Sequence, residues 1–84
     1  MYTGLQFTGT LAPNASNRWF TWGWNPAQHI VWYMMPTSPQ VGNPQLEWSV
    51  GVERANATQC TYWITVKNLT ANTLTFEGRY AVLS

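Results

Sequence analysis

Alternation of apolar and polar residues at a period of two, broken at short intervals by turn-forming clusters, restricts this chain more than any other feature. Leu46, Trp48, Val50 and Val52 alternate with Glu47, Ser49, Gly51 and Glu53. Tyr62, Ile64 and Val66 alternate with Thr61, Trp63, Thr65 and Lys67. Leu74, Phe76, Tyr80 and Val82 alternate with Thr73, Thr75, Glu77 and Arg79. Successive side chains of a strand point to opposite faces, so these segments read as half-buried strands. Apolar positions never recur at helical spacing, and Pro, Gly, Asn and Thr punctuate every segment. The expected class is all-β.

The first half follows the same rule with more aromatic residues. Leu5, Phe7 and Leu11 are expected on one face of a first strand, and Ala12 to Asn17 has turn composition. The second strand is RWFTWGW, Arg18 to Trp24. Alternation places Phe20, Trp22 and Trp24 together, where three large rings suit a core. Trp19, Thr21 and Gly23 then face outward, with Arg18 beside Trp19 for a cation–π contact. Gly23 inside a strand suggests a bulge or a close backbone approach. Asn25-Pro26 marks a turn, and Gln28 to Met35 gives a third strand. The loop PTSPQVGNP, residues 36–44, joins two halves that could not form separate cores.

The connections Ala55 to Gln59 and Asn68 to Asn72 are short enough for hairpins. They predict a C-terminal three-stranded meander with one wet face and one core face. With the first three strands, the reading is a single domain over residues 1–84. It has about six strands in a small antiparallel β-sandwich or a partly closed barrel. In style the phrases GTLAPNASNRWF and ITVKNLTANTLTFEGRY resemble the strands of Ig-like or jelly-roll modules.

Composition then limits function. Charged residues are 8% of the chain and aromatic residues 15%, and Asp is absent. A typical domain carries about 25% charged residues, so Thr, Asn, Gln and Ser must supply most of the polar surface. A net charge of +1 offers no footprint for nucleic acid. It also leaves little self-repulsion to oppose association between copies. No apolar run is long enough for a transmembrane helix. The start MYTGLQFTGT lacks the basic and apolar regions of a signal peptide. An extracellular setting is favoured, with cytoplasmic residence, a removed leader and non-classical export left open. Cys60 is the sole cysteine, which excludes a disulfide within the chain and suggests a buried structural thiol. Asn14, Asn56 and Asn68 head N-x-S/T triplets, read first as turns and second as glycan acceptors.

Catalytic groups are few. His29, Cys60, Glu47, Glu53 and Glu77 are the candidates, and nothing in their spacing brings a nucleophile to a base or two carboxylates to one cleft. Metal-ligand clusters and cofactor motifs are absent from the sequence, so neither an enzyme nor a cofactor or metal site is expected. Binding is better supplied. If the first hairpin turns about Ala57, Gly51 opposes Trp63, Glu53 opposes Thr61 and Glu47 opposes Lys67. If the second turns about Thr70, Glu77 flanks Trp63 and Arg79 flanks Thr61. Opposed side chains sit about 5 Å apart. Trp63, Glu53, Glu77 and Arg79, with the outward Trp19, then form a carbohydrate-binding patch: an aromatic plate for a sugar's C–H face, rimmed by hydrogen-bonding groups. Trp63 could instead cover Gly51 or pack at a subunit interface.

The third strand is apolar on both faces. Ile30, Trp32 and Met34 suit the core, which leaves Val31, Tyr33 and Met35 as the seam of a homo-oligomer, with His29 at its end. The leading expectation is an oligomeric, lectin-like module that binds glycans. The alternative is a structural subunit of a filament, tube or shell whose aromatic surfaces are permanent contacts.

Overall fold

The computed structural model describes residues 1–83; Ser84, the last residue of the expected domain, lies outside them. Six strands form in chain order. They are β1 (Tyr2–Leu11), β2 (Ser16–Trp24), β3 (Ile30–Pro36), β4 (Leu46–Arg54), β5 (Cys60–Asn68) and β6 (Leu74–Val82). Two antiparallel three-stranded sheets, β1–β6–β3 and β2–β5–β4, pack face to face as a small β-sandwich. Among the described residues no strand pairing joins the sheets, so they form a sandwich and not the barrel alternative.

The C-terminal meander needs correction. β4 and β5 form the expected hairpin in the expected register, with Gly51 opposite Trp63, Glu53 opposite Thr61 and Glu47 opposite Lys67. β6 leaves that sheet and becomes the centre of the other, between β1 and β3. Asn68, at the end of β5, holds this crossing. Its side chain is fully buried. Its Nδ2 donates to the carbonyls of Leu11 (3.3 Å), Ala12 (3.1 Å) and Asn72 (2.7 Å). Its Oδ1 accepts from Thr70 N at 2.9 Å and Thr70 Oγ1 at 2.8 Å. The β1–β2 and β5–β6 connections are thereby tied together at one end of the sandwich. Beyond it the chain enters the opposite sheet as β6.

The core is built from the inner faces of both sheets. Ile64, Val66, Phe76 and Val82 are sealed from solvent, with Leu11, Trp32, Met34, Tyr62 and Leu74 around them. Ring packing is specific. Trp19 stacks on Phe7 (centroids 5.5 Å, 19°) and meets Phe76 edge-on (5.3 Å, 85°). At the other end Trp24 meets Trp32 edge-on at 5.5 Å and Tyr80 at 5.1 Å. Edge-to-face and offset contacts of this kind add to the burial of each ring. Three inner-face glycines make room for the rings. A Cβ on Gly4, Gly9 or Gly78 would lie 2.5–2.7 Å from Tyr80, Phe76 or Phe7 respectively.

Two bulges correct the expected faces of β1 and β2. Register shifts between Leu5 and Phe7, so Leu5 faces solvent while Phe7 and Leu11 face the core. In β2 the faces are the reverse of the expectation. Trp19 and Thr21 point inward, whereas Phe20 and Trp22 are 56% and 70% exposed. A second shift, between Thr21 and Trp24, contains Gly23 at φ 82°. It returns Trp24 to the interior as expected. Buried Thr21 binds both bulged segments, its Oγ1 accepting from Gln6 Nε2 (3.0 Å) and Trp24 Nε1 (3.1 Å).

Candidate functional site

Parity on β2 and β5 sets the outer face of the β2–β5–β4 sheet. Phe20 lies directly opposite Trp63, and Gly51 flanks Trp63 on the other side. Phe20 stacks on Trp63 (4.9 Å, 29°) and also meets Trp22 (5.6 Å, 35°). The Arg18 guanidinium lies over Trp63 at 4.7 Å, not over Trp19 as expected. Trp63 Nε1 donates to Glu53 Oε1 at 2.8 Å. The result is an aromatic ridge, Trp22–Phe20–Trp63, braced by a cation at one end and a carboxylate at its side.

The ridge also settles how Trp63 meets Gly51. A Cβ on Gly51 would find only the Cβ and backbone O of Trp63, each at 3.9 Å. The indole therefore does not cover the glycine; it stacks on Phe20 of β2 while its N–H reaches Glu53 of β4. Its neighbours engage it, and the ring most open to solvent is Trp22.

The expected five-residue patch is divided. Trp63 and Glu53 share the ridge face. Glu77 and Arg79 sit on β6, in the opposite sheet, where Arg79 donates to Glu77 Oε1 from Nε (3.0 Å) and Nη2 (2.6 Å). Trp19 is half-buried against the core. Thr61 is buried on β5 and does not lie between Glu53 and Arg79. The division follows from the crossing of β6. Phe20, Trp22 and Arg18, which sequence reasoning left out of the patch, belong with Trp63. Their signal was the unusual density of rings in RWFTWGW.

Of the expected seam, Val31 and Tyr33 are exposed and Met35 is half-buried on the outer face of β1–β6–β3. Val31 and Tyr33, but not Met35, border with Thr3, Leu5 and Ala81 a shallow, mainly apolar groove of about 580 Å³ over Arg79. Tyr33 also meets Trp48 edge-on at 5.5 Å.

The remaining polar groups are dispersed. Cys60 is buried. The Tyr62 phenol is pushed above its ordinary pKa, first by burial and second by the nearby Cys60 thiolate. His29 sits in the β2–β3 loop, its carbonyl accepting from Leu83 N at 2.9 Å. Among the described residues no three or more His, Cys, Asp and Glu side chains are grouped to hold a metal ion. Nor is any helix there long and apolar enough to cross a membrane. The triplets serve as turns. Asn56 Oδ1 accepts from Thr58 N (2.9 Å) and Oγ1 (3.1 Å), the same pattern that Asn68 makes with Thr70. Asn14 occupies the left-handed region at φ 58°. Full burial rules out a glycan on Asn68 in the folded chain.

Comparisons with protein-family models, curated protein sequences and solved structures return no match.

Proposed function

We propose that this chain is a non-enzymatic, lectin-like module that binds carbohydrate on the outer face of the β2–β5–β4 sheet. One observation carries the reading: Trp22 and Phe20 stand 70% and 56% exposed, side by side on a ridge that Arg18, Trp63 and Glu53 brace. Large rings left in water forgo burial worth about 2–3 kcal/mol each. Fixing them in one arrangement before a ligand arrives lowers the ordering cost of binding. Sugar rings offer an apolar C–H face that stacks on such plates, and the rim of Thr, Ser, Glu and Arg side chains offers donors and acceptors for hydroxyls. The surface is shallow, so useful affinity would come from several copies acting together.

A glycan array followed by calorimetric titration tests the reading. Trp22→Ala is expected to weaken the best glycan by about tenfold, or about 1.4 kcal/mol. An empty array, or a Trp22→Ala protein that binds like the parent, overturns it.

The groove bordered by Leu5, Val31 and Tyr33 favours a second reading, a structural subunit that packs against copies of itself. The groove and the aromatic ridge lie on opposite outer faces, so a ridge-to-groove contact runs head to tail and propagates unless rotation closes it. Electron microscopy at high protein concentration separates the two: extended polymers support the structural subunit, and single particles or small rings support the lectin.

A further inference from the structure

Beside Trp22, at the end of the β2–β5–β4 sheet, the β2–β3 and β4–β5 loops enclose a shallow cleft of about 430 Å³. Gly23, Asn25, Pro26, Arg54, Thr58 and Gln59 line it. The loops are held by their own side-chain oxygens. Asn25 Oδ1 accepts from Ala27 N at 2.9 Å. Asn56 Oδ1 accepts from Thr58 N at 2.9 Å, and Gln59 Oε1 accepts from Asn56 Nδ2 at 3.3 Å. The amide oxygens are therefore spent within the loops. The Asn25 and Gln59 amide N–H groups remain. So does most of the Arg54 guanidinium, which gives one bond from Nη2 to Ala57 O at 3.0 Å and has five N–H donors in all. Among the described residues no carboxylate lines the cleft. Glu53, next to Arg54 on β4, projects to the other face and takes the Trp63 N–H. The cleft thus presents side-chain N–H donors and one cation, Arg54.

Gly23, on the wall of the cleft, follows Trp22 in β2. Its φ of 82° belongs to the bulge that follows the outward Trp22 and returns Trp24 to the interior.

We propose that the cleft receives the oxyanion of an acidic sugar, a carboxylate or a sulfate ester, while Trp22 carries the apolar face of the same glycan. The inference rests on the glycan-binding reading and names its class of sugar. Arg54, steadied by Ala57, presents a planar fork that matches such an oxyanion with two parallel charge-assisted bonds. Asn25 and Gln59 supply neutral donors at the sides. A neutral sugar would leave these donors to water, and a basic sugar would be repelled.

The test uses the whole chain and three glycans of matched length and linkage: a neutral one, its uronic-acid counterpart and its sulfate-ester counterpart. Titrations are run at low and high salt. One acidic glycan is expected to bind about tenfold tighter than the neutral one. Which of the two gains identifies the oxyanion, and the advantage shrinks at high salt. Arg54→Gln, checked for folding by circular dichroism, brings the acidic glycan down to the neutral one's affinity. Gln59→Leu narrows the gap without charge loss. Equal binding of neutral and acidic glycans, or an acidic preference that survives Arg54→Gln, overturns this inference and leaves the lectin reading standing. Binding of none of the three, together with an empty array, overturns both.

Discussion

Asn56 and Asn68 head the same N-x-T triplet and close the same side-chain turn, yet their surroundings give them different weight. Asn56 is exposed, so water can replace what its amide loses. Asn68 is sealed, and three carbonyls from two connections depend on its Nδ2. A buried polar group left without its partner costs about 1–3 kcal/mol. Asn68→Ala is therefore expected to destabilise the chain by about 2–4 kcal/mol, and Asn56→Ala by about 0.5–1 kcal/mol. Denaturant titration of both variants measures the difference. The sequence identified both as turn residues, because Asn and Thr close such turns by local chemistry. It could not rank them, since burial comes from loops distant in the chain. The same limit applies to Trp63. Its outward direction follows from alternation, but its partners Phe20 and Arg18 come from β2, more than forty residues earlier.

Among the elements, β2 departs furthest from its pattern. RWFTWGW offers a ring on either face, so hydrophobicity does not fix its parity. The structure selects the inward set Trp19, Thr21 and Trp24, which no uninterrupted alternation contains. Gly23 makes the set possible by inserting a bulge at positive φ, where a Cβ is unfavourable. Gly23→Ala has open space around its new methyl group, so only backbone strain acts on it. Expected are a loss of about 1–2 kcal/mol in stability and a shift in the tryptophan fluorescence of the native state as Trp22 and Trp24 readjust. Unchanged thermal denaturation would show that the bulge does not need its glycine. β1 carries a related bulge near Gln6, which explains why Leu5 left the face it was expected to share with Phe7.

For the molecule as a whole, one buried phenol links stability to pH. Tyr62 packs with Trp24 and Trp32, and burial, followed by the Cys60 thiolate, raises its pKa above the ordinary value. In the unfolded chain the phenol ionises near pH 10. Above that pH the folded state holds a proton that the unfolded state has released, so stability falls as pH rises. Below it, the group contributes no pH dependence. Denaturation midpoints measured from neutral to strongly alkaline pH should be flat and then drop, and Tyr62→Phe should lessen the drop.

The sequence by itself determined the strands, the β4–β5 register and the inner faces of β3, β5 and β6, because period-two burial is a local rule that each strand obeys separately; on β4 only Leu46 and Trp48 of the expected face are part-buried, and Val50 and Val52 are exposed. Only the tertiary structure decided which sheet β6 joins and which face of β2 is wet. A strand's wet-dry pattern is identical whether its core face meets a neighbour in the same sheet or a strand across the sandwich. The buried Asn68 network accompanies the first choice, and the bulge at Gly23 lets Trp24 rejoin the core after the second. The two choices separated Glu77 and Arg79 from Trp63 and brought Trp22, Phe20 and Arg18 to it.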